Sequence, residues 1–356
     1  MIELWQHAYK KLLFRDDVID QGEDEYLERL QAALGLTRDE IQRARADIPV
    51  VERRATAKHR HVSAAQCYKP RETPPAKPID RGAETERLLE QLDSLIGLAP
   101  IKREVRSLVN YLRVQQLRAE QGLPVNQMTL HLVFTGNPGT GKTTVARLLG
   151  GIYGAMGLLP RGHLIETDRG GLVAGYLGQT AIKAKEVIQG ALGGVLFIDE
   201  AYALSRTNGS GSDPYGAEAI DTLVKAMEDN RDKLVVIVAG YREPMEKFLA
   251  SNPGLRSRFT RFMDFPDYSS SELVQILSHH ASDGGYTLTE NARSRAKALF
   301  QAGLDKASAS FGNARFARTV FERACVHLAD RLATDPQISR DELTTIQQDD
   351  IDSASV

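Results

Sequence analysis

Cysteine is almost missing from this chain. Cys67 and Cys325 are the only two in 356 residues, too few for a disulfide framework or a four-cysteine zinc site. That scarcity fits a reducing compartment, and a cytoplasmic location is expected. No apolar run approaches the ~20 residues needed to span a bilayer, so membrane insertion is not expected. Neither sign of charge dominates. The 45 Lys and Arg face 47 Asp and Glu, a formal net charge of -2, which argues against a protein that coats nucleic acid through charge alone. The N-terminus MIELWQHAYKKLLFRDD mixes acids and bases into its apolar stretch and has no small-residue cleavage site, unlike a secretory leader. With 42% hydrophobic and 26% charged residues, the chain reads as a soluble globular protein of two to three domains, at ~150 residues per domain.

What is present is organised in blocks. Leu4, Ala8, Lys11 and Leu12 begin a helical period. Tyr26, Leu27, Leu30, Ala33 and Leu34 continue one, and Gly35 stops it. Thr37 followed by Glu40 is a capping-box spacing that opens another helix. Between residues 43 and 71, eight Lys and Arg meet only two acids, and Pro70, Pro74, Pro75 and Pro78 follow. Such a stretch is semi-extended and packs poorly, so it reads as a tether. From about residue 84 the texture changes to alternating helices and strands. LHLVFT (130–135), HLIET (163–167), GVLFID (194–199) and LVVIVAG (234–240) are short β-branched apolar runs separated by helical periods. Unbroken apolar strands of this kind predict a parallel sheet covered on both faces. After residue 270 no strand is expected. SSELVQILSHHA, ENARSRAKALF and NARFARTVFERACVHLADRLA read as consecutive amphipathic helices.

Two motifs carry chemistry. GNPGTGKT at 136–143 has the spacing G-x-x-x-x-G-K-[ST], with a strand before it and a helix after it. Its glycines let the backbone wrap a phosphate, and the following helix N-terminus adds a favourable dipole. The binding set is therefore Gly136, Asn137, Pro138, Gly139, Thr140, Gly141, Lys142, Thr143 and Thr144. Lys142 should reach the β- and γ-phosphates, and the Thr143 hydroxyl should ligate Mg²⁺. VLFIDE at 195–200 is the second motif. Its apolar strand carries Asp199 to the C-terminal edge of the sheet, where open α/β folds bind ligands. Asp199 can hold the Mg²⁺ shell, and Glu200 can orient or deprotonate the attacking water.

Around these motifs the chain resembles a family. LIGLAPIKREV (95–105), AGYLGQTAIKAKEVI (174–188), GGVLFIDEAYAL (193–204), AIDTLVKAMEDNRD (219–232), VIVAGY (236–241), NPGLRSRF (252–259) and GNARFARTVFERA (312–324) are similar to the CbbX/CfxQ group of AAA+ ATPases. That group includes red-type Rubisco activases, stage V sporulation protein K and the ATPase domain of the EccA secretion chaperones. The resemblance spans roughly residues 88–335. It implies a P-loop α/β core with a C-terminal helical lid, the core being preceded here by a small helical unit. The expected domains are 1–48 (helical), 49–82 (basic, proline-rich linker), 83–268 (nucleotide-binding) and 269–356 (lid). The cofactors it implies are ATP and Mg²⁺. The partners it implies are further copies of the chain in a ring, six being the expected number, and a protein substrate.

Residue by residue, the resemblance places Ile96, Gly97 and Leu98 on the adenine. Arg258 becomes an arginine finger reaching a neighbour's site, with Arg256 in reserve. Arg315 becomes the lid arginine that contacts the γ-phosphate. Tyr176 and Leu177 become a pore loop that grips polypeptide, whereas the residues alone also allow Tyr176 to be a packed aromatic at a loop base. Tyr241 stands where many AAA+ proteins have a polar residue at a strand end, so the residue that positions the water has no assignment.

Other patterns are weaker. The stretch from Asp17 to Glu28 has calcium-loop spacing but Ile19 and Gln21 at ligand positions. His279 and His280 lack further ligands nearby in sequence and read as surface residues. Cys325 reads as a core residue. A DNA-acting motor, supported only by the basic tether, and a slow nucleotide-gated scaffold are the alternatives to a protein remodeller.

Overall fold

The computed structural model describes residues 80–125, 129–176, 178–205, 207–208, 211–306, 311–333 and 338–353. The helical unit at 1–48, the basic tether up to residue 79, Cys67 and Leu177 lie outside the described residues.

Helix α1 (Arg81–Ser94) is capped by Asp80, whose carboxylate accepts the Gly82 and Ala83 N–H groups. Helix α2 (Ala99–Glu120) follows a tight turn. The sheet then builds from β1 (Leu132–Thr135), helix α3 (Lys142–Ala155), β2 (Leu164–Thr167), the short helix α4 (Arg169–Leu172), α5 (Gln179–Ala191) and β3 (Gly194–Ile198). A 3-10 turn (Ala201–Ser205) and a ribbon of two-residue strands (Thr207–Asn208 and Gly211–Ser212) lead into α6 (Pro214–Asp229) and β4 (Leu234–Gly240). Helices α7 (Arg242–Ala250) and α8 (Pro253–Arg258) precede β5 (Arg261–Asp264).

All five strands are parallel, in the order β2-β3-β4-β1-β5. β4 is buried at all seven positions, as its unbroken apolar run requires of a central strand. The two-residue period of a strand divides the core between two faces. Phe134, Phe197 and Ile237 meet α1, α2 and α3 on one face. Val133, Leu196, Val236 and Val238 meet α5, α6 and α7 on the other. Truncating a ring such as Phe197 to Ala would cost about 3–5 kcal/mol. β5 departs from the sequence reading, which placed no strand there. Only Met263 of its four residues is buried. An edge strand with charged ends carries too little apolar signal to be read from pattern alone.

The lid follows directly. Ser269 and Glu272 form a capping box that opens α9 (Ser270–Asp283). Helices α10 (Glu290–Lys306) and α11 (Asn313–Leu332) are the long helices of the expected bundle. Two strands interrupt it against expectation: β6 (Thr287–Leu288) pairs in parallel with β7 (Thr345–Ile346). Two residues are too short for any periodicity to reveal. The short helix α12 (Arg340–Thr344) leads directly into β7, and α13 (Gln348–Ser353) ends the described chain. The apolar core runs without a break from sheet to lid, through Phe265, whose ring is tilted against that of Phe134 at 4.9 Å, then Tyr268, Leu273 and Leu277. Among the described residues no helix is long and apolar enough to cross a membrane.

Candidate functional site

The end of β1 turns sharply into the glycine loop. Gly136, Gly139 and Gly141 all have positive φ, where an L side chain is strained. Close packing adds a second constraint. A Cβ on Gly136 would lie 2.4 Å from the Phe265 carbonyl oxygen, and one on Gly139 2.3 Å from that of Gly312. Thr140, fully buried, pins the loop by donating to the Asn137 carbonyl at 2.8 Å. The Gly136 N–H donates to the Gly240 carbonyl at the end of β4. Gly141 precedes α3 without offering a side-chain cap, so first-turn N–H groups stay free for an anion. The Lys142 ammonium folds back over the loop and donates to the Gly136 and Asn137 carbonyls at 2.9 and 2.7 Å. Burial lowers its pKa, and Asp199, the largest opposing charge, holds the proton on.

The acidic strand end lies opposite. Asp199 follows β3 directly, with its N–H bonded to the Thr167 carbonyl, and its carboxylate accepts the Glu200 N–H at 3.0 Å. Glu200 is held at φ 47°, a left-handed conformation that costs a non-glycine residue about 1–3 kcal/mol. The 3-10 turn keeps it there, because the Ala203 N–H donates to the Glu200 carbonyl at 2.8 Å. The strain thus sits on the carboxylate expected to handle water.

A cavity of about 320 Å³ brings these groups together. Its walls include Gly136, Pro138, Gly139 and Gly141 to Thr144 from the loop, with Asp199 and Glu200, Gly240 and Tyr241. Ala314 and Arg315 close it from the lid. The lid is docked on the loop itself: the Ala314 N–H donates to the Gly139 carbonyl at 3.2 Å.

Several wall and support residues were not foreseen from sequence. Asn313, fully buried at φ 47°, ties three segments. It accepts the Tyr268 N–H at 2.9 Å and donates to Asp267 at 2.7 Å and to the Pro138 carbonyl at 3.4 Å. Asp267 in turn accepts from the Asn137 amide. Glu166 at the end of β2 accepts the Thr143 hydroxyl at 3.3 Å. His280 and Arg318 also line the cavity, which corrects the surface reading of His280. Adjacent helix residues point about 100° apart. His279 is exposed beside Asp283, whereas His280 stacks on Phe321. Burial, with His279 and Arg318, lowers the His280 pKa.

Other expected site residues lie outside the cavity wall. Gly97 and Leu98 have positive φ, and Leu98 is buried with its Cδ1 3.4 Å from a Cβ placed on Gly141. The Ile96–Leu98 segment therefore backs the loop. Arg258 ends α8, bonds to Glu228 at 2.9 Å, and buries an Nε that has no hydrogen-bond partner among the described residues. Arg256 is exposed and has no ion-pair partner among the described residues. Tyr176 is 73% exposed, so it is not packed at a loop base.

The cavity suits a magnesium nucleotide. Its glycines hold the loop at positive φ, its lysine is poised over the loop, and the Thr143 and Asp199 oxygens are hard donors of the kind Mg²⁺ takes beside waters and phosphates. A parallel sheet in this order, with this loop, an acidic strand end and an arginine-bearing helical lid, defines a P-loop ATPase. The chain belongs to the ATPase family associated with various cellular activities (AAA), whose model matches residues 132–267, and the AAA lid domain matches residues 269–355. It binds nucleotide and hydrolyses ATP.

Among known proteins it is 43% identical over 263 residues to "Stage V sporulation protein K" of Bacillus subtilis, covering 74% of this chain and 81% of that one. It is 44% identical over 278 residues to "Protein CbbX" of Cereibacter sphaeroides, covering 77% and 89%. Over 271 residues it is 41% identical to the chloroplastic "Ribulose bisphosphate carboxylase/oxygenase activase" of Cyanidioschyzon merolae, covering 75% and 91%. The solved FIGL-1 AAA domain in complex with ADP superposes with a TM-score of 0.52 at 18% identity over 74% of this chain and 82% of that one, a likeness of fold.

Proposed function

We propose that this ATPase assembles as a ring, of six subunits by family likeness, and uses Mg-ATP to pull on a protein substrate in the cytoplasm. The observation that carries the reading is Tyr176, a large aromatic left 73% exposed in a glycine-flanked loop. Such a ring can hold many side chains without demanding one sequence. Nucleic acid is not a partner in this reading. The names of the activase relatives support a protein as the object of the work.

The cavity supports most of the residue roles in this reading. The loop N–H groups and Lys142 bind the β- and γ-phosphates. Thr143 and Asp199 would hold Mg²⁺, which supplies charge neutralisation between the phosphates. Glu200 orients the attacking water and takes its proton. Arg315 closes from the lid, and the Ile96–Leu98 segment supports the base from behind the loop. Arg258 completes the site from a neighbouring subunit after leaving Glu228, with exposed Arg256 as the alternative. The boundaries 83–268 and 269–356 are the domains that move against each other, with 1–48 selecting the partner through the 49–82 tether.

Mixing tests the shared site. Arg258→Ala should lower turnover by roughly 10³–10⁵ with ATP affinity retained. An excess of Glu200→Gln subunits should restore part of the activity, because an intact Glu200 then meets an intact Arg258 next door. Verified mixed rings without any recovery would exclude Arg258, and turnover per subunit unchanged on dilution to monomers would exclude the ring.

A further inference from the structure

We propose that Arg169 is a positioning residue that transmits the state of the nucleotide site to the Tyr176 loop, a proposal that rests on reading that loop as the substrate grip. Arg169 begins α4, directly after β2, and its guanidinium bridges two segments. One nitrogen donates to the Ala203 carbonyl at 3.0 Å and lies 2.5 Å from the Asp213 carboxylate. Ala203 belongs to the turn that follows Glu200 and is hydrogen-bonded to it. Asp213 is 6% exposed and caps α6 by accepting the Tyr215 N–H at 3.1 Å. That helix presses hard on the same turn: a Cβ on Gly216 would lie 1.9 Å from the Leu204 carbonyl oxygen. The acidic strand end, the turn and the start of α6 therefore form one stiff body, and Arg169 is bonded to it.

The other side of Arg169 leads to the aromatic. The Val173 N–H donates to the Arg169 carbonyl at 2.9 Å. Lys183 on α5 donates to the Gly170 carbonyl at 2.7 Å and to that of Val173 at 3.3 Å. Buried Thr180 holds the Ala174 N–H at 3.1 Å. Only Gly175 separates this braced segment from Tyr176. A shift of Glu200 between nucleotide states is thus carried by hydrogen bonds to within two residues of the ring.

The chemistry of the pair suits the task. Burial pushes the Asp213 carboxyl up, but the Arg169 guanidinium and the Tyr215 and Gly216 N–H groups outweigh it and hold it below the ordinary carboxylate range. The pair is therefore ionised at neutral pH. One guanidinium nitrogen serves the carbonyl and the carboxylate together, and a lysine ammonium would offer the same charge on a more flexible, more strongly hydrated stem. Removing the arginine alone would leave a buried, unpaired carboxylate, so the clean disruption changes both partners.

The test uses the full chain with a fluorescent reporter in the loop. The sequence has one tryptophan, so Trp5→Phe with Tyr176→Trp places a single reporter. Acrylamide quenching is compared between ADP on this background and ATP on the same background with Glu200→Gln. The two states should differ. Arg169→Met with Asp213→Asn should abolish the difference while the affinity for labelled ADP changes by less than about twofold. Arg169→Lys should restore part of it, which a purely structural role does not require. Asp213→Asn alone, which keeps the cap on α6, carries the test if thermal unfolding shows the double variant misfolded. A full-size difference in either folded variant, or no difference in the reporter parent, overturns the proposal. Full substrate-stimulated turnover in Tyr176→Ala would instead overturn the grip while leaving the quenching comparison intact.

Discussion

Two loops of this molecule are rich in glycine, and they use it in opposite ways. In the phosphate loop, a Cβ on Gly136 or Gly139 would collide with backbone oxygens of Phe265 or Gly312. In the aromatic loop, a Cβ on Gly175 or Gly178 would meet nothing within 4 Å among the described residues. The first loop needs glycine so that three segments can approach one another. The second leaves its glycines in open space, on a base that Thr180 and Lys183 hold. One loop is shaped to hold a small anion at fixed positions. The other presents an aromatic on a short free tip.

The widest separation between the loops should appear in turnover. Lys142→Ala removes the cation that the loop offers to phosphate, so ATP binding should fall sharply. Glu200→Gln keeps the shape and removes the base, so ATP should bind and persist while hydrolysis falls by roughly 10²–10⁴. Labelled-nucleotide titration beside a phosphate-release assay separates the two. Equal loss of ATP binding in both variants would contradict these roles.

Glycine exchange breaks the comparison directly. Gly139→Ala combines φ +72° with a 2.3 Å backbone contact and should cost roughly 2–4 kcal/mol, with the lid displaced from the loop. Gly178→Ala meets no neighbour among the described residues but sits at φ +84°, so about 1 kcal/mol is expected. Gly175→Ala should stay within about 0.5 kcal/mol. Urea unfolding of the three variants checks the order.

The strand beneath the phosphate loop supplies a pH test. His131, 4% exposed, accepts the Val236 N–H through Nδ1 at 3.0 Å, which only the neutral ring can do. Burial foremost, then the charge of Arg258, lowers its pKa from 6.5 to about 4. The unfolded chain therefore takes up the proton first. Stability should fall as pH drops below about 6.5 and level off near 4, with about 2 kcal/mol of this contribution gone by pH 5. His131→Asn keeps an acceptor but cannot protonate, so its unfolding free energy should show a flatter acid limb. An unchanged difference from the parent between pH 7.5 and 5 would remove His131 as the cause.

The same contrast explains what could be read before the structure. The phosphate loop and the acidic strand end are contiguous in sequence, and their chemistry is spelled by neighbours. β4 was legible because seven apolar residues in a row leave it nowhere but the centre. β5 was not, because an edge strand buries one residue in four. The Asn137–Asp267–Asn313 cluster joins Asn137 to a residue 130 positions away and that residue to one 46 positions further on, and no local pattern announces it. Arg169 and Asp213 are hidden in the same way: each looks like an ordinary charge beside a helix start until folding buries the carboxylate.

Tyr176→Ala should be the quietest change in stability and a loud one in work done on protein. The side chain is 73% exposed, so truncation removes little packing, and the unfolding free energy should move by no more than about 0.5 kcal/mol. A buried tyrosine would instead cost roughly 3–5 kcal/mol. Tyr176 is not part of the cavity wall, so ATP affinity should match the parent. What should disappear is the extra turnover that a bound protein substrate provokes. Tyr176→Phe should keep most of that stimulation, because the aromatic face grips and the hydroxyl has no partner among the described residues. Thermal unfolding, nucleotide titration and stimulated turnover on one preparation decide the matter. A melting temperature that falls steeply in Tyr176→Ala would make the loop a packed structure, and the opposition between the two glycine loops would fail with it.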